Sequence, residues 1–236
     1  MHTKDFGISA NGSKYRRDAE SMKEVKTENL KLGNLSLEQA NRQLRGIEPI
    51  EIIEWVLRHS RKPILTTNFG PYSASLLHAV TAVRKDIDVI WCDTGYNTPQ
   101  TYRFAKKIMD ELSLTMHIYT PKMTPGFRDV LMGLPQVGSE EHMSFTREVK
   151  LDPFKKALKE HQPDLWFTNL RKDQTDHRKN LDILHLSKEG ILKVSPFFHY
   201  SEAEMERYLQ RFDLPNEKKY YDPTKVHGKR ECGLHL

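Results

Sequence analysis

The chain has 236 residues, 37% of them apolar and 29% charged, which is enough for one α/β domain with a full core and too few for two large domains. A formal charge of +5, spread along the chain rather than gathered in a basic arm, favours a compact anionic partner over a long phosphate backbone. No apolar run approaches the roughly 18 residues of a membrane span and the N-terminus lacks the apolar stretch of a secretory signal, so a soluble cytoplasmic protein is expected, with no membrane partner.

Residues 1–34 are rich in Lys, Glu, Asn, Ser and Gly without periodicity and read as a mobile arm. An α/β domain is expected over 35–214. Ser36 with Gln39 is a capping-box pattern that opens a helix through about Arg45, and Pro49 suits the first turn of a second helix through Val56. Ile64 to Asn68 reads as a strand, followed by a loop through Gly70 and Pro71 and a helix carrying Leu76, Leu77, Val80 and Val83. The unit then repeats, with a strand from Ile87 to Cys92, a turn from Asp93 to Pro99 and a helix from Thr101 to Leu112. Met116 to Tyr119 is a third strand. The Pro and Gly residues of 121–149 punctuate that stretch and predict loops with one short helix. Pro153 opens a helix to about His161, Asp164 to Thr168 and Leu192 to Ser195 are the fourth and fifth strands, and Ser201 caps a last helix carrying Met205, Tyr208 and Leu209. Continuous apolar strands alternating with helices predict a parallel sheet covered on both faces. Residues 215–236 offer almost no core-forming side chains and read as a flexible tail.

Ligands of an open parallel sheet bind beyond the carboxyl ends of its strands, and three of those ends are polar here. Thr66, Thr67, Asn68, Phe69 and Gly70 form a loop ahead of a helix N-terminus that could cradle a phosphate or sulfate, although taken alone the loop reads more simply as an ordinary strand-to-helix turn capped by the threonines. Asp93, Thr94 and Gly95 suit a ribose or base, or simply a turn. Arg171, Gln174 and Arg178, with Lys172 between them, place guanidinium forks where phosphates would match them, although a solvated charged loop has the same composition. At the other end of the chain, Cys232 lies among Lys229, Arg230 and His235. Neighbouring positive charge lowers a thiol's pKa and attracts anions, so Cys232 is the candidate nucleophile. Cys92 ends an apolar strand and reads as a buried, inert thiol. Two cysteines in this chain cannot supply the four thiolates of a zinc or iron-sulfur site, and His78, His227 and His235 lack the spacing of metal ligands, so neither cofactor nor metal is expected. No interleaving of aromatic and basic residues suggests a nucleic-acid partner.

Taken in order, TTNFGPYSASLLH (66–78), DTGYNTPQTYRF (93–104), KLDPFKKAL (150–158), LRKDQTDHRKNLDIL (170–184) and KRECGLH (229–235) resemble the phosphoadenosine phosphosulfate (PAPS) reductase family. The resemblance implies a Rossmann-like parallel sheet of the adenine nucleotide α-hydrolase type with a flexible C-terminal tail, usually dimeric. It also implies that Cys232 attacks the sulfur of an activated sulfate to form an S-sulfonate, which a thioredoxin or glutaredoxin resolves to sulfite. By the same resemblance, Thr66 to Gly70 would contact the phosphosulfate, Asp93 to Gly95 the nucleoside, and Lys150, Arg171 and Arg178 the phosphates. Relatives that prefer adenosine phosphosulfate (APS) usually hold a cysteine-ligated iron-sulfur cluster; the missing cysteine pairs favour PAPS, with a cluster-free APS reductase as the alternative.

Two departures stand out. Pro71 and Tyr72 replace the smaller or more polar residues usual in the family, and the stretch between Leu214 and Lys229 is shortened, as it would be in a non-catalytic nucleotide-binding relative. An ATP pyrophosphatase of the same fold would carry an SGGxDS-type loop, and TTNFGPYS lacks its paired glycines and acidic residue.

Overall fold

The computed structural model describes residue 32 and residues 35–225, and shows a six-stranded sheet sandwiched by helices. Helix α1 (Leu37–Leu44) opens on the expected capping box: Gln39 N–H donates to Ser36 Oγ, and Ser36 N–H to Gln39 Oε1. Helix α2 (Pro49–Leu57) begins on Pro49, whose missing N–H costs nothing in the first turn. The chain then alternates β1 (Pro63–Thr67), α3 (Ser73–Val83), β2 (Asp88–Cys92), α4 (Pro99–Leu112) and β3 (Thr115–Tyr119). Two short helices follow, α5 (Pro125–Leu131) and α6 (Glu140–Thr146), and a π-helical turn (Arg147–Leu151) leads into α7 (Asp152–His161). After β4 (Leu165–Phe167) come two 3-10 turns (Lys172–Gln174 and His177–Asn180), β5 (Leu184–Leu186), β6 (Leu192–Val194) and α8 (Glu202–Arg211).

Sheet order is β3-β2-β1-β4-β6-β5, parallel throughout except for β5, which runs antiparallel to β6. The parallel sheet expected from the alternating pattern, and the Rossmann-like arrangement that the resemblance implies, are therefore present. The central strands β1, β2 and β4 divide their side chains between two cores. Leu65, Val89, Phe167 and Val194 face the larger one, under α1 to α4 and α8. Ile64, Ile90 and Trp166 face the smaller, closed by Phe154 and Ala157 of α7. Burying one such aromatic or aliphatic side chain contributes about 1.5 to 3 kcal/mol.

Three features differ from the sequence expectations. First, 121–149 holds two short helices rather than one, capped by Thr124 and Ser139, whose hydroxyls accept from Phe127 and His142 N–H. Asp152 N–H reaches back five residues to the Arg147 carbonyl and Pro153 brings no N–H, which accounts for the π turn before α7. Second, β5 extends the sheet by a sixth strand. Asn41 of α1 closes its outer side, its amide nitrogen donating to Leu184 O and its oxygen accepting from Leu184 N–H, each at 2.8 Å. Third, the stretch from Pro215 to Lys225, read as the start of a free tail, is tied to the domain through buried Glu217, Asp222 and Thr224. Residues 226–236, including Lys229, Arg230, Cys232 and His235, lie outside the described residues, as does nearly all of the 1–34 arm.

Candidate active site

The chain leaves β1 to build β2 and β3 on one side, and returns to build β4, β6 and β5 on the other. The crevice beyond the carboxyl ends of β1 and β4 is thus the topological switch point, where ligands of such sheets bind.

At the end of β1, side chains close the loop on its own backbone. Thr67 Oγ1 accepts from Phe69 N–H and Asn68 Oδ1 from Gly70 N–H, each at 3.0 Å, while Thr66 Oγ1 accepts from Trp166 Nε1 at 2.7 Å. Phe69 is fully buried against Trp91 and Phe104, with a left-handed backbone (φ 52°), so only its main chain faces the crevice edge. Helix α3 begins with no side-chain cap and no acidic residue in its first turn, which leaves its positive end available to an anion.

At the end of β2, Asp93 organises its own turn. Its Oδ1 accepts from Gly95 N–H (2.9 Å), Asn97 Nδ2 (2.8 Å) and the Tyr102 hydroxyl (3.0 Å), and Thr94 Oγ1 accepts from Tyr96 N–H. Burial, reinforced by Asp93, pushes the Tyr102 phenol up to about 12. Gly95 sits at φ +81°, and a Cβ there would meet Pro125 Cγ at 2.5 Å, so glycine is required twice over.

Beyond β4, Gln174 Oε1 accepts from both Arg171 N–H and the Arg178 guanidinium, tying together the two arginines singled out in the sequence. The Arg171 guanidinium lies 4.8 Å over the Tyr72 ring, and burial, with Arg178 adding to the effect, lowers its pKa. The Arg178 charge acts on the Arg171 guanidinium, so an anion bound near both would be favoured.

Tyr72, the departure from the resembled pattern, is the hub of this crevice. It sits in the left-handed region (φ 61°) directly before α3. Its N–H donates to Asn216 Oδ1, its carbonyl accepts from Asn169 Nδ2, its ring carries Arg171, and its hydroxyl donates to Glu202 and Glu206. Around it, Ser73 Oγ, Asn169 Oδ1 and Arg171 Nε are buried without hydrogen-bond partners among the described residues. Buried polar atoms are satisfied almost everywhere in proteins, so a group of orphans at a switch point marks where a polar ligand belongs. Ser73, Asn169 and Asn216 were not singled out in the sequence, since nothing in their spacing sets them apart.

The segment after α8 runs along this edge. Asn216 bonds Tyr72, the Tyr220 ring would touch a Cβ at Gly70 at 3.1 Å, Asp222 pairs with Lys150 at 2.5 Å, and His142 Nε2 meets Pro223 O at 3.0 Å. Lys150, expected to hold phosphate, is thus buried and engaged by Asp222 and Thr224, so a phosphate there would have to share or displace that carboxylate. The Lys150 charge in turn holds the Asp222 carboxyl down to about 2 against the opposing effect of burial. Cys92 is at the end of β2 as expected, and burial pushes its thiol up to about 12, which keeps it protonated and inert.

Residues 62–222 match the family model described as the phosphoadenosine phosphosulfate reductase domain. The phosphoadenosine 5′-phosphosulfate reductase of Thiocapsa roseopersicina is 30% identical over 224 residues, covering 85% of this chain and 93% of its own length. That of Proteus mirabilis is 32% identical over 225 residues, covering 85% and 92%. Among solved structures, the phosphoadenylyl-sulfate (PAPS) reductase of Candida auris in its phosphate complex superposes with a TM-score of 0.67 at 25% identity, covering 78% of this chain and 90% of its own. Candida glabrata FMN adenylyltransferase, at a TM-score of 0.52 and 12% identity over 84% of this chain and 66% of its own, shares the fold alone. From the extent of the family match and of these relatives, the chain belongs to the phosphoadenosine phosphosulfate reductase family.

Proposed function

We propose that this chain reduces 3′-phosphoadenylyl sulfate to sulfite and adenosine 3′,5′-bisphosphate, as part of assimilatory sulfate reduction. The Cys232 thiolate attacks the sulfate sulfur. The bond from sulfur to the bridging phosphate oxygen breaks, the nucleotide leaves with the electron pair, and an S-sulfonate remains on Cys232. A thiolate of a thioredoxin or glutaredoxin dithiol then attacks the Cys232 sulfur and expels sulfite. Its second thiol resolves the mixed disulfide, so the partner is oxidised by two electrons.

The observation that carries this reading is the course of 216–223 along the strand-end edge, bonded in turn to the β1 loop and to Lys150. From Lys225, the seven residues to Cys232 reach at most about 24 Å, so the thiol would stay tethered to the edge that 216–223 follows. Lys229, Arg230 and His235 would travel with it and lower its pKa. Thr66, Thr67, Asn68 and the main chain of Phe69 and Gly70 would line the phosphosulfate, and Asp93, Thr94 and Gly95 the nucleoside. Arg171 and Arg178, with Gln174 aligning them, would take the 3′-phosphate, which supports PAPS over APS. With two cysteines in the chain, no iron-sulfur cluster is part of this proposal; a homodimer is.

Intact-protein mass spectrometry of the pre-reduced chain mixed with PAPS or with APS, without thioredoxin, tests it. One SO₃ on Cys232 with PAPS and none in Cys232→Ser is expected. An adduct with APS alone would make this a cluster-free APS reductase, and no adduct with either would make it a non-catalytic relative.

A further inference from the structure

At the opposite end of β2 from Asp93, three side chains from distant parts of the chain meet. Asp88 opens β2, His117 lies within the edge strand β3, and His161 ends α7. Asp88 Oδ1 is 2.7 Å from His117 Nε2, and its Oδ2 is 3.3 Å from His161 Nδ1. One donor atom from each residue falls within 4.8 Å of the others, and the two imidazoles stand nearly perpendicular with centroids 4.6 Å apart.

The hydrogen bonds around His161 set which ring nitrogen of the neutral imidazole donates. The Tyr119 hydroxyl donates to Glu160 Oε2 at 2.7 Å, so its oxygen is left to accept from His161 Nε2 at 3.1 Å. In the neutral ring, Nε2 then carries the hydrogen, and the Nδ1 lone pair faces the Asp88 carboxylate. Two electron-rich atoms facing each other call for a cation between them. A single proton on His161 answers that one contact; a metal ion also answers the convergence of His117 on the same carboxylate. An acceptor behind a ligating histidine fixes its tautomer and ring orientation in metal sites, and here the Tyr119 hydroxyl, itself held by Glu160, is that acceptor.

We propose that Asp88, His117 and His161 bind one divalent first-row transition-metal ion of the zinc class. Two imidazoles and one carboxylate suit zinc, cobalt, nickel or copper, whereas calcium and magnesium ask for oxygen ligands throughout. The Asp88 and His117 side chains are 43% and 38% exposed, so an ion has a route in and water completes its coordination. The ion would clamp the edge strand β3 and the end of α7 to β2, at a distance from the strand-end crevice and independently of its chemistry.

Cobalt(II) titration of the metal-stripped full-length chain tests the site, using a Cys232→Ser background so that the tail thiol does not compete. The expected result is one ion per chain, with visible bands of a nitrogen-oxygen site and no thiolate charge-transfer band. His117→Ala should weaken binding at least about 100-fold, and Tyr119→Phe, which removes the hydroxyl shared by His161 and Glu160 and keeps all three ligands, about 10-fold. Metal-free melting of each variant serves as the folding control, with His117→Gln in reserve should the alanine variant fail to fold. Zinc should raise the melting temperature of the Cys232→Ser chain and leave that of its His117→Ala derivative unchanged. The proposal is overturned if no bands appear at millimolar cobalt. Equal affinity in His117→Ala would also overturn it, since the ion would then sit on the tail histidines or elsewhere.

Discussion

Asp222→Asn is the most informative single change, because it removes a charge from the Lys150 pair without changing shape. Both side chains are almost wholly buried, at 6% and 2% exposure, so neither is rescued by water. The folded carboxyl titrates near 2 against an ordinary 3.8, which by linkage corresponds to about 2 kcal/mol. Removing a charged partner of a buried ammonium, with Thr224 left to accept from it, costs more, about 3 to 5 kcal/mol. Because the pair fastens a segment near the chain end, the loss should appear first as local opening rather than global unfolding. About 3 kcal/mol is roughly a 100-fold loss of protection, read by hydrogen exchange in a peptide spanning 215–225. Thr224 N–H and Lys225 N–H, which donate to Asp222, report directly. The sign with pH follows from the lowered carboxyl: the contribution is fully present above about pH 4 and is lost as pH falls through about 2. The wild-type and Asp222→Asn proteins should therefore differ equally at pH 5 and 7 and converge toward pH 2. Unchanged exchange in 215–225 at pH 7, or a difference that persists undiminished at pH 2, would refute this account of the tether.

Further changes test other parts of the crevice. Gly95→Ala forces a Cβ into Pro125 at a positive φ and should cost about 1 to 3 kcal/mol in urea unfolding; adding Pro125→Ala should recover only the steric share, and a neutral Gly95→Ala would contradict the geometry. Arg171→Ala should weaken adenosine 3′,5′-bisphosphate binding at least about 10-fold in calorimetry, and Arg171→Lys should not restore it, because lysine lacks the planar fork; unchanged affinity would remove Arg171 from the anion site. At pH 8 the Cys92 thiol, pushed up to about 12, should resist iodoacetamide in the folded chain, so one alkylation is expected by mass when native and two in urea.

Much of the fold was legible because its signal is periodic. Apolar runs such as Ile87 to Cys92, followed by helices with one apolar face, specify a covered parallel sheet at the level of single segments. The strand β5 escaped notice because Leu184–Leu186 is three residues long with a histidine in the middle, and its strand character comes from pairing with β6. The second short helix of 121–149 was hidden by Gly and Pro residues that delimit short helices as readily as loops. At the crevice, the arginines of 171–178 were legible from charge and position, whereas Tyr72 was legible only as a departure. Its role as a hub depends on Asn169 and Asn216, about 100 and 144 positions away. The tether of 215–225 left no apolar trace because it is built from buried polar groups, and the trio of Asp88, His117 and His161 has no sequence spacing to betray it.

The amide of Asn41, bonded both ways to the main chain of Leu184, has a meaning for association. A strand at the border of a sheet presents unpaired N–H and C=O groups that invite another chain to join it. Here one side chain occupies those groups at Leu184 as a neighbouring strand would, so growth of the sheet past β5 is hindered there by a single residue. Contact between copies of this chain is thereby steered away from Leu184, and Asn41→Ala would free the main-chain groups of Leu184 to pair with another strand.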